Sequence, residues 1–293
     1  MLTPRRPIVH MAPLVALCLL LAACGNLLSS VAPKVLITPA PTVTLAHRGP
    51  MLVQYCADDT GSYPRGDFSQ ANHAVADSLV KSVRANSDGI MLYATAITSN
   101  TFDPANTLAP FTVPAIANYP TLPTPLPTPS QANPVSFSAT ATAVENENST
   151  GISAYNATLA TVNNTVATVR GQVSTDVARL TNWAPPIDAT ATSIWGCLQL
   201  ARQRFTGQPG AKFLIIASDM DNNSSVDYTA DFTAAQALKD VNVRVIYYYC
   251  QAAGQCQDRA NSWTPILHNA GAAAITFDDP AQSVALPSLF GGS

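Results

Sequence analysis

The sequence predicts an α/β fold with a doubly wound, mostly parallel central sheet flanked by helices. Short apolar runs of strand length alternate with stretches whose apolar residues recur every three or four positions, which is typical of β–α–β units. The string "AKFLIIASD" (211–219) contains a continuous apolar run, as expected of a strand buried on both faces of a parallel sheet. A Rossmann-like sheet of this kind binds ligands at the carboxyl ends of its central strands.

The N-terminus has the features of an export signal. Arg5 and Arg6 precede an apolar run (12–24) that is too short to span a bilayer comfortably. The string "LAAC" (21–24) resembles the lipobox of bacterial lipoproteins, which implies cleavage before Cys24 and lipid on its thiol. We therefore expect a signal peptide (1–23), a tether (24–48) and an extracytoplasmic, lipid-anchored location in the cell envelope. An ordinary secretory signal with a chance cysteine is the alternative.

The charge of the chain excludes some partners. Without residues 1–23 the chain has 13 basic and 18 acidic residues, a formal charge of −5, and no basic cluster. This balance argues against nucleic acid binding and against electrostatic docking to a membrane. The membrane contact that we expect is the lipid anchor.

The four remaining cysteines are compatible with export, because that compartment permits disulfides. Cys250 and Cys256 close the short loop "CQAAGQC" and are the candidate disulfide. A Cys56–Cys197 pair then follows by elimination only. Buried free thiols are the alternative for all four.

The first half of the folded part predicts strand, helix and strand, followed by an insertion. "MLVQYC" (51–56) and "IMLYATAIT" (90–98) have the composition of buried strands, and the stretch 67–89 between them has helical periodicity. Nine prolines between Pro104 and Pro134 predict an extended inserted loop. "VSFSAT" (135–140) alternates like a strand. Nine apolar residues then recur at near-heptad spacing from Ile152 to Leu180, which predicts a long helix.

The second half predicts three further helix and strand pairs. Helices are predicted at 194–205, at "TADFTAAQALKDV" (229–241) and at "SWTPILHNA" (262–270), and strands at 211–219, "VRVIYYY" (243–249) and "AAAITF" (272–277). We expect one domain over 49–280, with an insertion at about 103–182, and a C-terminal tail (281–293). The long helix is expected to pack its apolar stripe on this domain, or to pair partly with another chain.

The string "CADDTGSYP" (56–64) can be interpreted in two frames. From Asp59 it contains D-T-G-S, the catalytic loop of aspartic proteases, but those enzymes are all-β and this loop precedes a predicted helix. From Asp58 it is D-x-T-x-S, a carboxylate and two hydroxyls that can hold a metal ion. A phosphatase nucleophile at Asp58 would require D-x-D starting from that residue, which Asp58-Asp59-Thr60 does not supply.

Three motifs together resemble the von Willebrand factor type A domain. The family's D-x-S-x-S is matched by Asp58, Thr60 and Ser62, its metal-binding threonine by Thr192 in "TSIWGCLQLA", and its T-D-G by Asp219 in Ser-Asp-Met. The resemblance implies that these five residues bind Mg²⁺, or Mn²⁺ or Ca²⁺. It also implies that an acidic side chain of a protein partner completes the coordination.

The sequence departs from the family pattern at several positions. Met220 replaces the usual glycine, and Asp221 adds a negative charge that favours Ca²⁺. Thr190 is an alternative ligand to Thr192. Asp59 is expected to point away from the metal.

We therefore expect a lipid-anchored domain that mediates metal-dependent protein–protein interaction or adhesion, and not an enzyme. The alternative is a structural or assembly lipoprotein with a degenerate metal site that associates through the 152–180 helix. Under the first hypothesis, substitution of Asp58 should abolish partner binding. Under the alternative, substitutions on the apolar stripe should abolish association.

Overall fold

The structure is a computed structural model of the 293-residue chain. It describes residues 49–127, 134–185, 191–224, 227–252 and 254–278, with only the backbone for 134–139. The predicted signal peptide, Cys24, the tether, Thr190 and the C-terminal tail lie outside these ranges. The described residues divide into two compact units, one containing 121–127 and 134–156 and the other containing 49–120 and the described residues after 156.

The second unit contains a six-stranded sheet. Five strands are parallel, and the short edge strand β3 runs antiparallel to β2. The spatial order is β3-β2-β1-β4-β5-β6. The strands are β1 (Met51–Asp58), β2 (Ile90–Ile97), β3 (Phe111–Val113), β4 (Lys212–Ala217), β5 (Val241–Ile246) and β6 (Ala274–Phe277).

Helices cover both faces of this sheet, as the prediction of a doubly wound fold requires. One face packs against α1, α3 and the C-terminal part of α2, and the other packs against α4, α5 and α6. Alternate residues of β1 serve the two faces: Val53 and Tyr55 face the first core, and Leu52 and Cys56 face the second. The helices are α1 (Arg65–Lys81), α2 (Pro134–Asp176), α3 (Ala178–Thr181), α4 (Ile194–Phe205), α5 (Thr229–Ala234) and α6 (Gln255–Asn269).

The sheet order creates a switch point at its centre. From β1 the chain moves through α1 to β2 on one side, whereas β4 lies on the other side of β1. The carboxyl ends of β1 and β4 therefore flank a crevice of the kind in which doubly wound sheets bind ligands.

Several predicted elements were wrong in detail. The segment 135–140 is part of α2 and not a strand, because its continuation into the long helix overrides its local strand-like alternation. The proline-rich stretch contains a 3-10 turn (Pro104–Asn106) and the edge strand β3, where the register leaves Pro110 and Pro114 outside the ladder. Helix α5 ends at Ala234, before the positive φ of Gln236, and α6 begins earlier than predicted.

The long apolar stripe packs largely on the domain itself. Six of its nine members, Val162 to Leu180, are buried in the same core cluster as β1 and α1. The first member, Ile152, is 49% exposed. Arg170 of α2 also donates a 2.8 Å hydrogen bond to the Val83 carbonyl after α1. The interpretation that the stripe packs on its own domain is therefore confirmed for its C-terminal two thirds.

No helix among the described residues is both long and apolar enough to span a membrane. The apolar run 12–24 lies outside those residues.

Both cysteine pairs are disulfides in the structure. Cys56 in β1 pairs with Cys197 in α4, across 141 residues, and Cys250 pairs with Cys256 across 6. The first bond links the central strand to the helix that follows the Thr192 loop. The second closes the loop before α6.

The two disulfides should differ in their contribution to stability. Loop-closure entropy gives about 5 kcal/mol for a 141-residue loop and about 2 kcal/mol for a 6-residue loop. Urea unfolding of C56A/C197A should therefore show a free energy of unfolding about 3 kcal/mol lower than that of C250A/C256A. Equal losses would contradict the assignment of the long-range pair.

Candidate metal centre

The five predicted ligands lie at the carboxyl edge of the sheet, around the crevice between β1 and β4. Asp58 is the last residue of β1, and Thr60 and Ser62 lie in the turn that leads into α1. Thr192 lies in the loop before α4, and Asp219 follows β4 by two residues. The structure thus brings together residues from three segments that are far apart in the sequence.

A chain of hydrogen bonds connects four of these side chains. Thr60 Oγ1 donates to Asp58 Oδ1 at 2.7 Å and lies 3.3 Å from Ser62 Oγ. Thr192 Oγ1 donates to Thr60 Oγ1 at 2.9 Å. Asp58, Thr60 and Thr192 are all buried, so these oxygens are held in place by the fold.

Asp58 is a buried carboxylate whose oxygens are both hydrogen bonded. Its Oδ2 accepts a 2.6 Å bond from Ser218 Oγ, and Ser218 Oγ in turn accepts from the Met220 backbone N–H. Burial raises the pKa of Asp58 from 3.8 to about 6, against the lowering effect of the Ser218 and Thr60 hydrogen bonds. The negative charge of Asp219 adds to the increase.

The loop after β4 holds the Thr192 loop in place by hydrogen bonds. Asn223 Oδ1 accepts a 2.6 Å hydrogen bond from the Thr192 N–H, and Asn222 Oδ1 accepts a 2.9 Å bond from the Ile194 N–H at the start of α4. Sequence reasoning missed both asparagines, although "DNNSS" after a strand is a composition that commonly caps backbone groups. They fix the threonine relative to Asp219.

Met220 adopts the conformation that a glycine would take. Its φ is 59°, and its side chain is buried in the second core cluster. Such a φ is unfavourable for a residue with a Cβ, so the surrounding contacts must hold it. Trp263 of α6 provides one of these contacts, since its Nε1–H donates to the Met220 carbonyl at 2.9 Å.

Asp219 does not join the hydroxyl chain but pairs with an arginine that the sequence did not reveal. Arg259 of α6 lies 3.2 Å from Asp219 Oδ2 and donates a 2.8 Å bond to the Asp219 carbonyl. It also lies 2.7 Å from Asp221 Oδ2. No motif signals this residue, because the contact joins positions 40 apart.

Asp59 lies in a different environment from Asp58. It pairs with Arg65 of α1 at 3.2 Å, and burial raises its pKa to about 6. Its Oδ2 has no hydrogen-bond partner among the described residues. The turn runs directly into α1, an arrangement that differs from the all-β surroundings of an aspartic protease loop.

The spacing of the hydroxyls fits a small divalent cation. With metal–oxygen distances of about 2.1 Å, adjacent ligands of an octahedral ion lie about 3 Å apart. The hydroxyl separations of 2.9 and 3.3 Å at Thr60, which are hydrogen-bond distances in this structure, are compatible with this value. Within the described part of the chain no three or more His, Cys, Asp or Glu side chains form a metal cluster, so a cation here would depend on the hydroxyls.

A cavity of about 370 Å³ opens beside Arg259. Its walls include Trp195 and Trp263, whose rings are 5.3 Å apart, together with Asp221 and Asn222. The cavity therefore offers both aromatic and charged surface next to the loop that contains Asp219.

The structure has the doubly wound sheet, the hydroxyl-bearing turn after β1, the threonine loop before α4 and the aspartate after β4 that the resemblance to the von Willebrand factor type A domain implies. The resemblance in sequence is thus matched by the architecture. It is the sheet that brings the three motifs to one edge.

Solved structures with low similarity were found in animals and bacteria. Proximal thread matrix protein 1 from the mussel byssus is 11% identical, with a TM-score of 0.39 over 81% of this chain, which spans only 44% of that protein. A second structure of that protein has a zinc-occupied MIDAS motif, at a TM-score of 0.35, 11% identity and coverage of 80% and 43%. A conserved hypothetical protein, BatB from Bacteroides thetaiotaomicron, is 14% identical, with a TM-score of 0.32 and coverage of 81% and 95%. No protein-family model and no curated protein matches the chain.

In metal-free protein, replacing Asp58 with Asn should become more favourable as the pH rises. The native pKa of Asp58 is raised, so its contribution to stability is greatest below its unfolded value near 4 and is lost as the pH rises through about 6. The free energy of unfolding of D58N relative to wild type should therefore increase between pH 4 and pH 7. The exposed D77N variant is the control, and a pH-independent difference for D58N would contradict the buried environment of Asp58.

Proposed function

We propose that this protein is a lipid-anchored, extracytoplasmic binding protein that contacts a protein partner through a divalent cation. The cation would be held by the hydroxyls of Thr60, Ser62 and Thr192, with the carboxylates of Asp58 and Asp219 binding it directly or through water. The observation that carries the proposal is the convergence of the Thr60, Ser62 and Thr192 hydroxyls beside the Asp58 carboxylate. Hydroxyl and carboxylate oxygens are the ligands that a hard divalent cation prefers.

The proposed ligands suit a hard cation that can still bind a further anionic ligand. Three of the five side chains are neutral hydroxyls, and the charge of Asp219 is shared with Arg259. Bound there, Mg²⁺, Mn²⁺ or Ca²⁺ would retain much of its positive charge and would attract a carboxylate from outside. The proposed partner therefore presents an acidic side chain to the site.

The proposal is of a binding site and not of an enzyme. Both oxygens of Asp58 accept hydrogen bonds from neighbouring groups, an environment that suits a ligand better than a nucleophile. Asp59, the residue of the protease frame, is paired with Arg65. Inactivity of the purified protein on casein and on a generic phosphoester would agree with this view, and Asp58-dependent hydrolysis of either would contradict it.

The membrane anchor is proposed from the sequence. The string "LAAC" (21–24) supports lipidation of Cys24, and residues 25–48 would separate the lipid from the domain. Mass spectrometry of the membrane fraction tests this step. A mature N-terminus at Cys24 with added acyl mass is the expected result, and an unmodified Cys24 in the mature chain would contradict it.

Assembly through the long helix is the second candidate function. The observation in its favour is the exposure of Ile152, with Tyr155 and Leu159 half-buried. The remaining stripe residues are occupied by the domain's own core. A protein that sediments as a monomer, with no change in I152D, would exclude this candidate.

Loss of one hydroxyl should remove most of the cation affinity. Isothermal titration of Mg²⁺, Mn²⁺ and Ca²⁺ should show binding to wild type, at least a tenfold loss in T192A and no measurable binding in D58A, because both residues supply oxygens at the site. T175A is the matched control, since Thr175 is an exposed threonine on α2. Wild-type affinity in both T192A and D58A would contradict the proposed site.

A further inference from the structure

Arg259 is the one cationic side chain that the described residues bring against the Asp219 loop. Its guanidinium contacts the Asp219 carboxylate, the Asp219 carbonyl and the Asp221 carboxylate at 3.2, 2.8 and 2.7 Å. The side chain is only 16% exposed, so these contacts are shielded from water more than a surface ion pair is. The arginine therefore neutralises charge directly at the proposed metal centre.

The helix that carries Arg259 is fastened on both sides of this residue. The Cys250–Cys256 disulfide restrains the first turn of α6, and Tyr248 Oη donates a 2.8 Å hydrogen bond to the Cys256 carbonyl. One turn after Arg259, the Trp263 Nε1–H donates to the Met220 carbonyl. The guanidinium thus has a fixed position, which keeps the entropic cost of its ion pairs low.

The Asp219 loop has other ties that do not involve Arg259. Ser218 Oγ accepts from the Met220 N–H at 2.9 Å, and Asp219 Oδ1 accepts from the Asp221 N–H at 3.0 Å. Asn222 and Asn223 bind backbone N–H groups of the Thr192 loop. Because these bonds define the path of the loop, the charge of Arg259 is its distinctive contribution.

We infer that Arg259 sets the cation affinity of the site, as a built-in counter-cation that competes with the divalent ion for the charge of Asp219 and Asp221. The inference rests on the proposed function, since it concerns the same centre. The Arg259 guanidinium and a divalent ion are both positively charged, and their repulsion is substantial in a partly buried site. The site would hold its ion weakly and leave it strongly electrophilic until an acidic partner adds a compensating charge.

The test is titration of Mn²⁺ into the purified full chain and its variants. R259Q removes the charge and should bind Mn²⁺ about tenfold more tightly than wild type, because the repulsion is lost. R259K keeps the charge and should stay closer to wild type than to R259Q. R244Q, which removes an arginine paired with Asp278 outside the site, is the matched control and should not change the affinity.

The D221N variant should change the Mn²⁺ affinity in the opposite direction to R259Q. It removes a carboxylate that is 47% exposed and leaves the Arg259–Asp219 pair in place. Its Mn²⁺ affinity should fall, also by several-fold. Thermal unfolding gives a second readout: Mn²⁺ should raise the midpoint of R259Q more than that of wild type, because ligand stabilisation follows affinity.

The outcomes separate this inference from the proposed function. If wild type binds Mn²⁺ and R259Q binds equally or more weakly, Arg259 does not oppose the ion and the inference is overturned alone. Tighter binding by both R259Q and R259K would also overturn it, because charge would not be the cause. If neither wild type nor R259Q binds Mn²⁺, the proposed function fails and the inference fails with it.

Discussion

The pairing of β1 with β4 determines where the side chains of the candidate metal centre lie. The two strands run in parallel at the centre of the sheet, so the turn after one and the loop after the other meet at a single edge. Asp58 and Ser218 share a 2.6 Å hydrogen bond across this junction. The Cys56–Cys197 disulfide ties the same strand to α4, and α4 begins just after Thr192. A shift of one residue in the β1–β4 register would move all of these groups apart.

The centre concentrates buried acidity that the fold must compensate. Burial raises the pKa of Asp58 to about 6, and Asp219 lies close enough to raise it further. The hydroxyls that donate to Asp58 and the guanidinium that binds Asp219 and Asp221 supply part of the compensation. A divalent cation would supply the rest. The hydroxyls and the guanidinium thus explain how the fold tolerates these acids.

Sequence periodicity was sufficient to predict the fold class and the sheet edge at which the three motifs meet. Local patterns identify β1, β2, β4, β5 and β6, and the three motifs lie at strand or helix ends. The three-residue strand β3 was not predicted, because prolines flank it and it is too short to show a strand-like alternation of apolar and polar residues. The segment 135–140 alternates like a strand but continues into a helix, where context overrides local preference. Arg259, Asn222 and Asn223 could not be assigned because their partners are fixed only by tertiary packing.

The most direct test of the account is the position of a bound ion in a crystal grown with Mn²⁺, located by its anomalous scattering. We expect one strong peak at the carboxyl edge of β1 and β4, about 2.2 Å from the Thr60, Ser62 and Thr192 hydroxyl oxygens. We also expect that Arg259 still contacts Asp219 or Asp221. A peak that lies away from these hydroxyls, or an ion bound without Thr192, would contradict the claim that three separate segments build one metal centre.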